Sequence, residues 1–411
     1  MNMRLLFPVK IFIAALSVFT FCAAMLPAVS YAQVTLSGSG ITGNPKLFFK
    51  GLESSDKNLT VKVRNTLWAT SWFDLVPSAK GAEYIIDGRA DGGTILLSVK
   101  NGAGIEMFRV TGQGTSSDEA VYAAVDMILH KLFGIDGICR TKIAFSAETG
   151  RGRKEIYMCD IDGSNIRKVT SNGSLNIEPS WHPSGKALLF NQYLVASSPL
   201  VEYDMIRNRS RILSAQRGIN SGKVSHSGRK IALVVTVGNQ VDLFVRNYEG
   251  GGVIRLTNDR ANEASPCWSP DDSKICFVSD KTGRPKLYII SAEGGNAERV
   301  KGVSGSECVA PAWSKDNKLA YTAKLGPYVL KVVDLTANMG MERQGKDREN
   351  SYIFPDIRAQ GEGPSWAPDN RHIVLSSNGK IIIVDSRTGR SRVLIQGKSR
   401  CSGASWSPVI R

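Results

Sequence analysis

Residues Ser265–Asp280 read "SPCWSPDDSKICFVSD". Two cysteines, two adjacent aspartates and a tryptophan fall within sixteen residues. The cluster reads either as a reactive or metal site, or as one copy of a structural unit. The rest of the chain separates the two readings. "EPSWHPSGKALLF" begins at Glu178, "APAWSKDNKLAYT" at Ala310, "GPSWAPDNRHIVL" at Gly363 and "SGASWSP" at Ser402. A decayed copy, "GKVSHSGRKIALVV", begins at Gly222, with Val224 in the tryptophan place and Gly228 keeping the turn. Trp181, Val224, Trp268, Trp313, Trp366 and Trp406 are thus spaced by 43, 44, 45, 53 and 40 residues.

That period suits a four-stranded propeller blade. Within one copy, Pro270, Asp271 and Asp272 make a tight turn, in which proline fixes φ and the aspartates bond local backbone. "KICFVSD" alternates as a strand does, and "GRPKLYIISAEGG" and "AERVKG" supply two more. The tryptophan strand comes first and is expected nearest the central axis, its ring packed between neighbouring sheets. The cysteines are private to one copy: Ser180, Ala312 and Ser365 stand where Cys267 does.

The last copy has one strand, whereas "TKIAFSAE", "KEIYMCDIDG" and "NIRKVT" upstream give three strands with no tryptophan strand before them. Joined, they complete one blade. The expectation over residues 139–411 is an all-β six-bladed β-propeller closed by the C-terminal strand, which removes exposed sheet edges.

Residues 33–138 lack the period. "AEYIIDGRA", "GTILLSVKNG" and "IEMFRVTGQ" read as strands. "SSDEAVYAAVDMILHKLFG" reads as a helix, with a Ser116/Glu119 capping box, an apolar face through Val121, Val125, Ile128, Leu129 and Leu132, and Gly134 as C-cap. This predicts a small α/β N-terminal domain, making the whole chain multi-domain.

Residues 1–32 read as a signal peptide: Arg4 and Lys10, then "IFIAALSVFTFCAAMLPAV", then Ser30 and Ala32 before a cut ahead of Gln33. The alternative, a membrane anchor, lacks a flanking charge cluster. Phe21 before Cys22 argues against lipidation. Without that segment, 50 basic face 37 acidic residues, a net charge of +13. The cations are scattered rather than run together with aromatics, so the reading is a solvated basic surface and no nucleic-acid partner. Six cysteines remain, Cys139, Cys159, Cys267, Cys276, Cys308 and Cys401, and their spacing assigns no pairing.

The junction "KLFGIDGICRTKIAFSA" (131–147) and the run "LTNDRANEASPCWSPDDSKICFVSDKTGRPKLYIISAEGG" (256–295), with Ser279, Asp280, Gly283, Arg284 and Pro285 in an S-D-x-x-G-R-P pattern, resemble the TolB family. The resemblance covers nearly all of the chain after residue 32. It implies a non-enzymatic periplasmic scaffold of the Tol-Pal cell-envelope system, acting without a cofactor in outer-membrane integrity and constriction at division. It implies binding of the peptidoglycan-associated lipoprotein at one channel mouth, contact of the N-terminal segment with TolA, a peripheral link to the outer membrane, and a monomer. The opening "QVTLSGSGITGNPKLFFKGL" and the decayed second copy at Arg217, Gly218, Ile219 and Asn220 depart from the family pattern.

Residues two to six places before each tryptophan are expected to line one mouth: Asn176 and Glu178; Asn262, Glu263, Ala264 and Ser265; Glu307; Glu362; and Arg400. Asn262–Ser265 fall on the family's partner-contact loop. Four carboxylates around one mouth suggest either a cation or a basic partner; the alternative is ordinary solvated loop charge. Enzyme readings are weaker. There is no G-x-S-x-G elbow. His130, His182, His226 and His372 show neither a metalloprotease pair nor zinc-finger spacing, and Cys267 and Cys276 fit no C-x-x-C pattern. A secreted propeller binding a small ligand or sugar, or accessory to a hydrolase, is the other functional reading.

Overall fold

The structure is a computed structural model that describes residues 33–34, 43–91, 93–195, 197–214, 219–336, 357, 359–397 and 399–410. The signal-peptide expectation, most of the opening segment, and Arg217 and Gly218 lie outside these residues. No described helix is long and apolar enough to cross a membrane.

The N-terminal elements form one five-stranded sheet, in the order Asp74–Leu75, Lys46–Glu53, Tyr84–Asp91, Thr94–Asn101, Glu106–Gly112. The first two pairings are parallel and the last two antiparallel. Two helices, α1 (Lys57–Ala69) and α2 (Ser117–Phe133), pack on it and on each other. Neither α1 nor Lys46–Glu53 was expected from the sequence. α1 carries β-branched Thr60, Val61, Val63 and Thr66, which weaken the helical signal; Asp56 caps it by accepting from Asn58 N. α2 has the expected caps, with Gly134 at φ +68°. Ser116 accepts from Glu119 N at 3.2 Å, while the Glu119 carboxylate reaches back to Thr115 N at 2.8 Å, one residue earlier than a standard capping box.

The junction is held by a buried carboxylate. Asp126, on α2, accepts from Cys139 N at 2.8 Å and pairs with Arg140 at 3.3 Å. A Cβ on Gly137 would lie 2.1 Å from the Asp126 carboxyl carbon, so only glycine fits there. One hydrophobic cluster runs from Leu47, Val125 and Leu129 through Ile138 to Ile143, Ile381 and Trp406, so the N-terminal elements and the repeats share a core.

Among the described residues six strand sets follow the repeats, and we call each the sheet of its tryptophan-position residue; a parallel pairing of Leu175 with Lys154 joins the Trp181 and Trp406 sets into one eight-stranded sheet. The Trp268 sheet is Glu263–Trp268, Lys274–Ser279, Lys286–Ser291 and Glu298–Arg299, each antiparallel to the next. The Trp181 and Val224 sheets have four such strands, the Trp366 sheet has four and a fifth, Gln33–Val34, antiparallel on its outer strand Ser391–Ile395, and the Trp313 sheet has three described strands. In the Trp406 sheet, Cys401–Trp406 pairs antiparallel with Lys142–Gly150, then Arg153–Asp160, then Arg167–Lys168. The tryptophan-position strands neighbour one another cyclically, the Trp406 strand touching both the Trp366 and the Trp181 strands. The expected alternation of "KICFVSD" is absent: Ile275 to Ser279 are all buried, because sheets pack on both faces.

Three indoles tie sheet to sheet. Trp181, Trp268 and Trp366 donate from Nε1 to Ser405 O, Lys223 O and Ala312 O, at 3.2, 2.8 and 2.9 Å. Each acceptor belongs to the residue just before the tryptophan position of the adjoining sheet.

Two positions in the repeat are left-handed. Four residues after the tryptophan position come Gly185, Gly228, Asp272, Asn317 and Asn370, all at φ between +54° and +76°. Glycine, Asn and Asp tolerate this best. Their side chains also link turns: Asp272 accepts from His226 N and Ser227 N at 2.7 and 2.8 Å, and Asn370 from Lys315 N at 3.1 Å. Asp271, by contrast, bonds locally as expected, to Ser269 Oγ and Ser273 N. Three residues before the tryptophan come Glu178, Ser265, Ala310, Gly363 and Gly403, at φ between +48° and +66°. A bulge sits there in each innermost strand.

Candidate functional site

The N-terminal elements attach where the innermost strands end. Trp72 Nε1 donates to Asp369 at 3.1 Å, and Arg371 stacks on the Trp72 ring at 4.3 Å while pairing with Asp385 at 2.6 Å. Lys62 reaches Asp162 at 2.9 Å, and Arg390 reaches Asp74 at 2.6 Å. Asp369 and Arg371 lie in the turn after the innermost strand Glu362–Trp366, while Asp162 and Arg390 follow the third strands Arg153–Asp160 and Lys380–Asp385, which run parallel in direction to the innermost strands and so end at the same face. The leading ends, with the expected mouth residues, are therefore on the opposite face.

At that face the Asn262–Ser265 segment is shaped by Asp280. The Asp280 carboxylate accepts from Asn262 N at 2.8 Å and from Asn262 Nδ2 at 3.1 Å. Asp280 also begins a tight turn, accepting from Gly283 N at 2.7 Å, with Gly283 at φ +87°. Asn262 and Ala264 are exposed. Next to them, Lys281 Nζ sits 3.9 Å over the Tyr288 ring. Asp280 and Lys281 belong to the S-D-x-x-G-R-P run, whose turn signal gives no sign in the sequence that it shapes the neighbouring loop.

Glu263 is not a mouth charge. It is buried, at 3 % exposure, and opposes Ser279, whose Oγ donates to it at 3.3 Å. Its Oε2 has no partner. Burial pushes its pKa up to about 8; Ser279 and Lys281 oppose that rise, and Asp259 and Asp280 add to it. At neutral pH the carboxyl holds its proton.

Asn176, expected at the mouth, does not reach it either. It is fully buried, and its amide donates to Lys154 O, Glu155 Oε2 and Asn172 Oδ1 at 3.1, 3.0 and 2.8 Å. It braces the strand rather than lining a mouth. Glu307 is tied to Lys324 Nζ at 2.9 Å and to Tyr328 OH at 2.6 Å, which hold its carboxyl below its usual pKa. Glu362 and Arg400 are exposed. Glu178 keeps accessible surface but is crowded by protein, as in a narrow channel; burial raises its pKa, and Lys223 opposes the rise. The four carboxylates are thus not gathered, and among the described residues no three His, Cys, Asp or Glu side chains meet as a metal site.

His372 and five of the six cysteines after residue 32 are sealed. His372 Nδ1 contacts Asp369 at 2.6 Å, yet His372 is 1 % exposed beside Trp72, and its Nε2 has no partner. Cys139, Cys159, Cys276, Cys308 and Cys401 are buried, and burial raises the pKa of each thiol. Cys267 and Cys276 oppose each other across the strand pair as free thiols.

The fold and site together define a mostly-β, propeller-like protein that offers a polar loop surface on one face and carries a small α/β layer on the other. The profile of the TolB beta propeller domain matches residues 129–410. The chain belongs to the TolB propeller family. It is 30 % identical over 246 residues to the Tol-Pal system protein TolB of Anaeromyxobacter dehalogenans strain 2CP-C, and 28 % over 248 residues to that of Anaeromyxobacter sp. strain K. Each match covers 60 % of this chain and 56 % of the relative, so the chain spans little more than half the length of these relatives. The crystal structure of TolB from Acinetobacter baumannii superposes with a TM-score of 0.77 over 92 % of this chain and 99 % of that one, at 18 % identity, a likeness of fold.

Proposed function

We propose that this chain is a non-enzymatic periplasmic scaffold of the Tol-Pal system, exported by residues 1–32 with cleavage near Ala32. Residues 33–138 form its α/β domain, and residues 139–411 a six-bladed ring closed by the C-terminal strand. The pairing of Cys401–Trp406 with Lys142–Gly150 and the cyclic neighbouring of the innermost strands support that closure. The relatives named as Tol-Pal system proteins support the assignment to that system.

Its leading-end face binds the peptidoglycan-associated lipoprotein, with exposed Asn262 and Ala264 in the contact and Glu178, Glu307 and Glu362 around it. The observation that carries this reading is the Asp280 clamp on Asn262, which fixes an exposed polar loop in one geometry and so lowers the ordering cost of association. TolA is the proposed partner of the opening segment from Gln33, on the inner-membrane side of the linkage. Together these contacts link the outer membrane peripherally to the inner membrane during constriction, with the scaffold itself a monomer.

Capture of the organism's own lipoprotein by immobilised chain tests the reading. Wild type is expected to retain the lipoprotein and Ala264→Arg to lose it. Capture unchanged by Ala264→Arg moves the contact elsewhere; no capture by wild type removes the function.

A further inference from the structure

In one sheet, cysteine faces cysteine. Cys267 and Cys276 are Cα partners across the antiparallel strands Glu263–Trp268 and Lys274–Ser279. The corresponding pairs in other sheets include Ser180 with Leu189, Ala312 with Ala320 and Ser365 with Val374. The repeat therefore accepts serine or alanine at the first place and a small or aliphatic residue at the second, and packing alone does not call for two thiols. Among the described strands no other register sets one cysteine against another: Cys159, Cys308 and Cys401 oppose Ile143, Ala323 and Ala147.

Directly opposed residues of an antiparallel pair have Cα atoms about 4.5–5.5 Å apart, inside the range of about 4.4–6.8 Å that a disulfide spans. The two thiols already interact. Burial raises the pKa of Cys276, and its hydrogen bond with Cys267 adds to the rise. Access differs between them: Cys276 is 0 % exposed, whereas Cys267 is partly exposed. Lys223, on the adjoining innermost strand, accepts the Trp268 indole through its carbonyl at 2.8 Å. Its ammonium acts electrostatically on Glu178 and on Cys267, and a nearby cation favours a thiolate. A reachable thiol with a second thiol held behind it is the arrangement of a redox cysteine and its resolving partner.

We propose that Cys267 and Cys276 are a thiol–disulfide redox pair, in which Cys267 reacts with an external disulfide oxidant and Cys276 resolves the product to an intramolecular disulfide. The Cys267 thiolate attacks one sulfur of the oxidant, breaking its S–S bond and releasing one thiolate. Cys276 Sγ then attacks Cys267 Sγ in the mixed disulfide and releases the second thiolate. The protein loses two electrons and the oxidant gains them, and the two thiol protons pass to the released thiolates. The new bond staples the strand that follows Asn262 to the strand that precedes Asp280. Neither cysteine belongs to the proposed lipoprotein contact, and the pair is independent of that reading.

Treatment of the reduced, folded full chain with glutathione disulfide tests this. Remaining thiols are then blocked with N-ethylmaleimide, and tryptic peptides are weighed without reduction. Trypsin cuts after Arg260, Lys274 and Lys281, so the two cysteines fall in separate peptides, 261–274 and 275–281. Wild type is expected to yield these two joined by a disulfide. Cys276→Ala should stop at the first step, with glutathione retained on Cys267, and Cys267→Ser should leave Cys276 unmodified. Both variants place a residue that another copy carries at the same position, Ala320 or Ser180, and matching near-ultraviolet circular dichroism establishes that the fold is kept. No linked peptide from wild type, linkage of either cysteine to a different one, or glutathione retained on Cys267 of wild type overturns the proposal. Modification of Cys276 in folded Cys267→Ser overturns the order of the two steps.

Discussion

Asp280 holds Asn262 twice, through the backbone N–H at 2.8 Å and the side-chain amide at 3.1 Å. Asn262 precedes the strand Glu263–Trp268 and Asp280 follows its neighbour Lys274–Ser279, so the shape of the leading-end loop is set by the turn beside it. Asp280→Ala frees both donors. Each such charge-assisted bond is worth about 1.5–3 kcal/mol in position, though both donors regain water when released. We expect lipoprotein affinity to fall roughly tenfold, since 1.4 kcal/mol is a factor of ten, with little change in melting temperature. A loss of folding instead would make Asp280 a core support.

Glu263 should give stability a pH slope. The folded protein keeps its proton up to about pH 8, whereas the unfolded chain releases it near 4.5. Between those values the folded state binds more protons, so stability falls as pH rises through the window. Glu263→Gln should flatten the slope and be the more stable protein at pH 8, by on the order of a few kcal/mol, while differing little at pH 4.5. Urea midpoints at the two pH values measure this; parallel slopes would contradict it.

Ala310 occupies a left-handed position, φ +50°, that Gly363 and Gly403 fill in other copies. An L-residue there costs about 1–2 kcal/mol relative to glycine, partly offset by the extra freedom of glycine in the unfolded chain. Ala310→Gly is therefore expected to raise the urea midpoint slightly, and Gly363→Ala to lower it by about 1 kcal/mol. Equal losses in both variants would show that the bulge is not under backbone strain.

The repeat was legible because its requirements coincide with residue types that announce themselves. Tryptophan marks the inter-sheet packing position, and Gly, Asn or Asp marks the left-handed turn four residues on. The other left-handed position was not legible, because Glu178, Ser265 and Ala310 carry no turn signal; the bulge is imposed by neighbouring strands. Burial of Glu263 and Asn176 was hidden for a related reason. Both sit five residues before a tryptophan-position residue, beyond the bulge, where spacing alone does not tell a channel-facing side chain from one facing the next strand. The helix α1 was missed because its β-branched residues dilute its pattern, and its stability comes from packing on α2 and on Lys46–Glu53.

Arg371 joins the two parts of the chain: it pairs with Asp385, stacks on Trp72 and donates to Asn44 at 2.5 Å. Removing it leaves Asp385 buried and short of its partner, at a cost of about 3–5 kcal/mol. Arg371→Ala should lower the melting temperature, and Arg371→Lys should not restore it, because an ammonium cannot fork onto the carboxylate while stacking on the ring. Full rescue by lysine would reduce the contact to simple charge.

Recognition of the peptidoglycan-associated lipoprotein by the exposed, preset loop on the leading-end face is the proposal the other contacts depend on. Calorimetric titration of that lipoprotein into wild type and Ala264→Arg tests it most directly. Saturable one-to-one binding to wild type, and none measurable to the variant at the same concentrations, is the expected result. Binding of equal strength to both, with the variant correctly folded, would contradict it.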